Sequence, residues 1–240
     1  LNTKPRPPNI CILIGAPLCI TIENKIRALP RLNYSTEIER IFYQLKKYNS
    51  ALSLDILFAT FDNLKQLLSN RLHRIVHFIG HASEDALAFE DMYGHSITLT
   101  IQMIQTLFTT YNHNIHLLFL SACHSQTIGQ IFIDIGIPHV ICCNDEIEDE
   151  SSVLFSSEFY TSLLAGKKLI AAFNGAKQLL SHGNDLIIHP EIEATKFVLL
   201  PENGNHDVVL FPRATTMVMP HHTNHHTNHS ISKIPPIVVC

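Results

Sequence analysis

Two apolar runs constrain this chain more than any other feature. Ile75-Val76-His77-Phe78-Ile79 and Leu117-Leu118-Phe119-Leu120 are short and free of Asp, Glu, Lys and Arg; the first is rich in β-branched side chains and each carries a phenylalanine. Such runs suit strands covered on both faces, as in the parallel sheet of an α/β protein. The first gives way to Gly80-His81-Ala82 and the second to Ser121-Ala122-Cys123-His124-Ser125. In open α/β sheets ligands and chemistry gather at the carboxyl ends of the strands. An imidazole and a thiol delivered to one such edge are the minimum equipment of a cysteine nucleophile with its general base.

The rest of the chain alternates strand and helix patterns, which predicts a mostly parallel central sheet with helices on both faces. Further strands are predicted at Ile10–Ile14, Leu52–Phe58 and Val140–Cys143, with the two runs above extending over Ile75–Phe78 and Ile115–Leu120. Helical spacing of apolar residues predicts helices over Tyr34–Tyr48, Thr60–Leu72, Ile97–Phe108 and Ser125–Ile135. Asp149–Leu164 and Lys167–Leu180 follow as two helices, with Gly166 at the C-cap of the first. Ala86–Ser96 reads as a small hairpin turning at Asp91–Gly94, and Lys196–Pro201 with Val208–Phe211 as a last strand pair around Glu202-Asn203-Gly204-Asn205.

These elements divide the chain into an N-terminal extension over 1–9, one folded domain over 10–212 and a tail over 213–240. The tail carries HHTNHHTNHS at 221–230 and reads as a His-, Asn- and Pro-rich linker toward a further domain. A first residue of Leu1 points to an excised or processed piece of a longer protein.

A hydrophobic fraction of 46% with 16% charged residues is globular, and no apolar stretch is long enough for a bilayer. The formal charge of −4 without a Lys/Arg cluster argues against nucleic acid as a partner. None of the six cysteines has CxxC spacing, so neither a zinc site nor a disulfide framework is expected. With no signal peptide visible, a reducing cytoplasm suits the chain, with no membrane association, no metal and no cofactor.

A thiol needs a neighbouring imidazole or positive environment to become an effective nucleophile. His81 and Cys123 satisfy this if their strands are adjacent. His77 shares a strand face with Ile75 and Ile79 and is expected in the core, His124 is expected as an exposed loop residue, and Cys142 and Cys143 as strand packing. The run Asp145-Glu146-Ile147-Glu148-Asp149-Glu150 follows the next strand. Its carboxylates could line a pocket for a basic substrate residue, Glu146 and Asp149 first among them, or belong to a solvated loop whose Asp149 caps the following helix, and capping does not exclude pocket lining. The histidine tract invites metal binding, but without Cys or Asp partners it reads as a linker.

The stretches VHFIGHA (76–82), LAFED (87–91) with Gly94, LLFLSACHS (117–125) and the segment from Gly136 to Leu180 resemble the CHAT domains. These are caspase-like cysteine protease domains often associated with tetratricopeptide repeats. Leu29-Pro30-Arg31-Leu32 followed by Glu37 is similar to that family's early loop and helix, and the resemblance runs over roughly residues 10–212. The spacing from His81 to Ala122-Cys123 is also similar to that of caspases, where the catalytic His lies roughly 50 residues upstream. The final IPPIVVC resembles the entry to a nucleotide-binding domain of the signal-transducing ATPase type.

The resemblance implies a caspase-like three-layer sandwich and peptide-bond hydrolysis, with Cys123 as nucleophile and His81 as general acid/base. A backbone amide at Gly80, Ala82 or Cys123 would face the oxyanion. Ser121 stands where the metacaspases have an acid that binds a basic substrate residue. In the related separases an acidic loop at the place of residues 145–150 accompanies basic specificity. Ala82 stands where the family usually has glycine, and a positive φ there would cost about 1 kcal/mol. The leading expectation is a cysteine endopeptidase effector, cleaving protein or peptide substrates possibly after a basic residue. It would sit in a larger signalling or defence protein with nucleotide-binding or repeat domains. The alternatives are an inactive caspase-like interaction module and another thiol-dependent hydrolase.

Overall fold

The structure, a computed structural model, describes residues 9–48, 52–111, 113–183 and 186–212. The chain runs β1 (Asn9–Gly15), β2 (Cys19–Ile22), β3 (Lys25–Ala28), α1 (Tyr34–Tyr48), β4 (Leu54–Phe58) and α2 (Phe61–Asn70). It continues through β5 (His73–Gly80), β6 (Ala82–Ser83), β7 (Ala86–Glu90), β8 (Ser96–Thr100), α3 (Ile101–Thr110) and β9 (Leu117–Ser121). It closes with α4 (Gln126–Asp134), β10 (Val140–Cys143), α5 (Asp149–Leu164), α6 (Leu169–His182), α7 (Pro190–Lys196) and β11 (Phe197–Leu200).

Six strands form the central sheet in the order β11-β10-β9-β5-β1-β4, and every neighbouring pair is parallel except β10 with β11. Strand side chains alternate between faces, and both faces are dry over the inner strands, while the edge strand β4 leaves Ile56 and Phe58 partly exposed. Ile10, Ile12, Ile75, Leu117, Phe119 and Ile141 point into one core, completed by α1, α5 and α6. Cys11, Leu13, Val76, Phe78, Leu118 and Leu120 point into the other, completed by α2, α3 and α4. Burial on both sides is why these strands read as continuous apolar runs. His77 belongs to the first layer: it is fully buried and stacks on Phe119 at 4.3 Å and 2°.

Two expectations are corrected. Residues 96–100 are not the start of a helix but β8, the return strand of the β7 hairpin, and α3 begins at Ile101. The alternation of Ile97 and Leu99 runs into the helical spacing of Ile104 and Phe108 with neither Gly nor Pro between them. Thr100 marks the boundary by accepting a hydrogen bond from the Met103 N–H at 3.4 Å. Residues 208–211 form no strand with β11, which pairs instead with β10. The carbonyls of His206 and Val208 accept from the Ile170 and Leu169 amides at 3.2 and 2.8 Å. The segment thus satisfies N–H groups that the first turn of α6 leaves free.

The β2–β3 hairpin and α7 carry no strong pattern and were not anticipated. The hairpin turns through Glu23 and Asn24, both left-handed at φ 50° and 61°. Among the described residues no helix is long and apolar enough to cross a membrane. The His-rich tract and the IPPIVVC end lie outside the described residues.

Candidate active site

Strand register brings the predicted pair together. β5 and β9 are neighbours, with Ile79 opposite Ser121. Two residues further along each strand stand His81 and Cys123, leaving the same end of the sheet on adjacent strands spaced about 4.8 Å apart. Gly80 is required on steric grounds: a Cβ there would meet the Gly15 carbonyl and the Phe78 ring at 2.6 Å. After Cys123 the chain turns sharply into α4, because His124 adopts a left-handed φ of 49°. That conformation costs a non-glycine residue about 1–2 kcal/mol. Buried Ser125 braces the turn, donating to the Ala122 carbonyl at 2.8 Å and accepting from the Cys143 amide at 3.0 Å.

His81 is held from behind. Its Nε2 lies 3.0 Å from the Pro30 carbonyl. A carbonyl only accepts, so Nε2 carries the hydrogen and the neutral ring keeps its lone pair on Nδ1. Pro30 lies in the loop between β3 and α1. That loop is fastened by the Asn33 amide donating to Asp149 Oδ2 at 3.1 Å and by Thr36 donating to Asn33 Oδ1 at 2.8 Å. On the thiol side, the Ile147 N–H points at Cys123 Sγ at 3.5 Å. Such a donor interacts more strongly with a thiolate than with a thiol.

Between these groups lies a narrow pocket of ≈ 40 Å³, lined by Gly80, His81, Ser121, Cys123, Asp149 and Ser152 together with Leu32 and Tyr34. Its floor is Glu37, 2% exposed on α1. Burial pushes the Glu37 carboxyl up to about 7; the Ser156 hydroxyl opposes the shift, the Asp149 charge adds to it and the Ser121 hydroxyl opposes it. His77 Nε2 is 3.4 Å from Glu37 Oε1, but burial pulls the His77 ring down to about 3, so the contact is not an ion pair at neutral pH. The Ser121 hydroxyl hydrogen-bonds to that of Ser152 and lies 3.5 Å from Glu37 Oε1.

Five of the expected site residues therefore meet in one pocket: Gly80, His81, Ser121, Cys123 and Asp149. Ala82 lines a separate open hollow beside β2 and β8, with His81 shared between the two. Its φ is not left-handed, so alanine is unstrained there. Glu146 is not in the pocket wall; its side chain is 84% exposed and lies 3.9 Å from His124 Nε2.

Three groups were missed. The Pro30 carbonyl and the Ile147 amide are backbone atoms and leave no trace in side-chain chemistry. Glu37 did leave one: it occupies the buried stripe of α1 with Ile41 and Leu45, an acid on an apolar face.

The sheet order, the two helical layers and the strand-end site define a caspase-like cysteine protease fold. Solved structures share it. The crystal structure of the Arg-specific cysteine proteinase gingipain R superposes with a TM-score of 0.55 at 11% identity, covering 79% of this chain and 45% of that one. The complex of Porphyromonas gingivalis RgpB pro- and mature domains gives 0.50 at 10% identity, covering 80% and 46%. The chain thus spans under half the length of the solved chains it matches. No curated protein matches it. The CHAT domain family matches over residues 14–228, and the chain belongs to that family.

Proposed function

We propose that this chain is a cysteine endopeptidase domain working through His81 and Cys123. The observation that carries the reading is the β5–β9 register, Ile79 opposite Ser121, which sets both residues at one sheet end and on one pocket. His81 Nδ1 takes the thiol proton and the Pro30 carbonyl steadies the imidazolium on the far side of the ring. The thiolate attacks a substrate carbonyl, and an amide at Gly80, Ala82 or Cys123 faces the oxyanion. His81 then protonates the leaving amine, and water releases the acyl group from sulfur. The substrate lies as an extended strand along the sheet rim. Asp149 in the pocket wall and the exposed Glu146 outside it, with the hydroxyl of Ser121, favour a basic residue before the scissile bond.

In this reading the domain is the effector of a larger cytoplasmic signalling or defence protein with nucleotide-binding or repeat domains. One ground for the alternative of an inactive interaction module was backbone strain at Ala82, and the φ there is not left-handed. Incubation of the full chain with a peptide library tests the activity. Cleavage is expected in the parent and loss of at least about a thousandfold in Cys123→Ala and His81→Ala. Equal cleavage by all three proteins rejects the dyad.

A further inference from the structure

Glu37 is an acid in an unusual position. Its side chain is 3% exposed, it forms the floor of a pocket beside Cys123, and among the described residues no Lys or Arg pairs with it. The groups facing it are His77 from β5, Ser121 from β9 and Ser152, Ser156, Asp149 and Tyr160 from α5, with Cys143 of β10 nearby. None is a cation at neutral pH. Hydrogen-bonding capacity is unused around it as well: both His77 ring nitrogens and the Tyr160 hydroxyl are buried without a partner. A buried acid is costly unless a counter-charge or hydrogen bonds offset it. Here the accessible direction for a counter-charge is the pocket.

Resting on the peptidase reading, we propose that Glu37 is the specificity-determining acid of this site, taking the ammonium or guanidinium of a substrate Lys or Arg whose backbone lies against Cys123. The Ser121 hydroxyl is 3.5 Å from Glu37 Oε1, so a carboxylate on either residue addresses the same space. The ≈ 40 Å³ of free space is room for about two waters. A long side chain therefore enters with a shift of the loop that carries Leu32. Burial brings the Glu37 carboxyl to about 7, so charge in the pocket rises across the neutral range and cation binding tightens with pH. His81 and Asp149 line the same pocket, so the Glu37 contribution is the difference between the parent and a variant lacking the acid.

The test needs no turnover. The full chain is titrated by NMR with butylguanidinium and with neutral butylurea at pH 6 and pH 8. At pH 8 the parent is expected to prefer the cation by about tenfold, the size of one charge-assisted contact. Between pH 6 and pH 8 its affinity for the cation should rise by up to about tenfold more than that of Glu37→Gln, as the acid ionises. Glu37→Gln should lose the preference, and Ser121→Asp in the Glu37→Gln background should recover it. A preference unchanged in Glu37→Gln, or lost and not recovered by Ser121→Asp, overturns the assignment. Peptide cleavage in the parent with no preference for basic residues also overturns it while leaving the dyad intact. Absence of any cleavage removes the peptidase reading but leaves the cation titration to be judged by itself.

Discussion

Two glutamates are buried to the same degree in this chain and are treated in opposite ways. Glu193, 3% exposed on α7, has both oxygens engaged. Oε1 meets the Lys196 ammonium and Oε2 accepts the Glu148 amide at 3.1 Å, while Lys196 also donates to the Glu146 carbonyl at 2.6 Å. Glu37, 2% exposed, has hydroxyl neighbours and a neutral imidazole but no cation. The first acid is internally balanced and ties the 146–148 loop to α7. The second has no counter-charge among the described residues, and it lines the pocket beside Cys123. Burial alone therefore does not set the electrostatics of an acid; the presence or absence of a counter-charge does.

The sharpest way to break this contrast is to make Glu193 resemble Glu37. Lys196→Met leaves the Glu193 carboxylate buried without its cation and removes the tie to Glu146. Stranding one partner of a buried pair costs about 3–5 kcal/mol, and urea denaturation at pH 7 is expected to show a loss of about 4 kcal/mol. A loss below about 1 kcal/mol would mean that Glu193 was never dependent on Lys196.

Glu37→Gln should act in the other direction. The folded carboxyl is raised from 4.5 to about 7, so its contribution to stability is fully present below 4.5 and is lost as pH rises through about 7. At 1.36 kcal/mol per unit this loss is on the order of 3 kcal/mol. The glutamine variant lacks that loss. Unfolding free energies compared at pH 5 and pH 8 should show the variant gaining on the parent by about that amount. A parallel pH dependence in the two proteins would show that Glu37 ionises as freely as an exposed acid and is not the uncompensated group described above.

The elements differed in legibility for physical reasons. α1, β10 and α5 were read with their boundaries: α1 has a clean helical period, while β10 and α5 are apolar segments bounded by an abrupt change of composition, as at Asn144-Asp145 after β10 and Ala165-Gly166 after α5. β8 was absorbed into α3 because a period of two met a period of 3.6 without a breaker. The shared position of His81 and Cys123 was legible since parallel strands buried on both faces announce themselves, and both residues sit just past the strand ends. The acidic run was not resolvable residue by residue. Glu146 faces solvent near His124, Glu148 accepts the Ile188 amide at 3.4 Å, and Asp149 reaches the loop between β3 and α1. Which way each carboxylate points depends on loop backbone angles that composition does not encode.

Asp149 separates the two kinds of acid within a single side chain, and its effects are expected to be the smallest. One oxygen accepts the Asn33 amide, which fixes the loop whose Pro30 carbonyl orients His81. In that respect Asp149 resembles Glu193. It also lines the pocket over Glu37 and adds negative potential there, as Glu37 does. Removing both roles with Asp149→Ala should lower kcat roughly fivefold on every substrate, the equivalent of about 1 kcal/mol of lost positioning. KM should rise about twofold for basic substrates only, since a charge that is only partly buried is substantially screened. Asp149→Asn keeps an oxygen for the Asn33 amide and loses the charge. It should therefore recover kcat while retaining the higher KM for basic peptides. If Asn and Ala variants are equally slow, the loop is not held through that hydrogen bond. If neither variant changes KM, all of the pocket's discrimination rests on the acid beneath it.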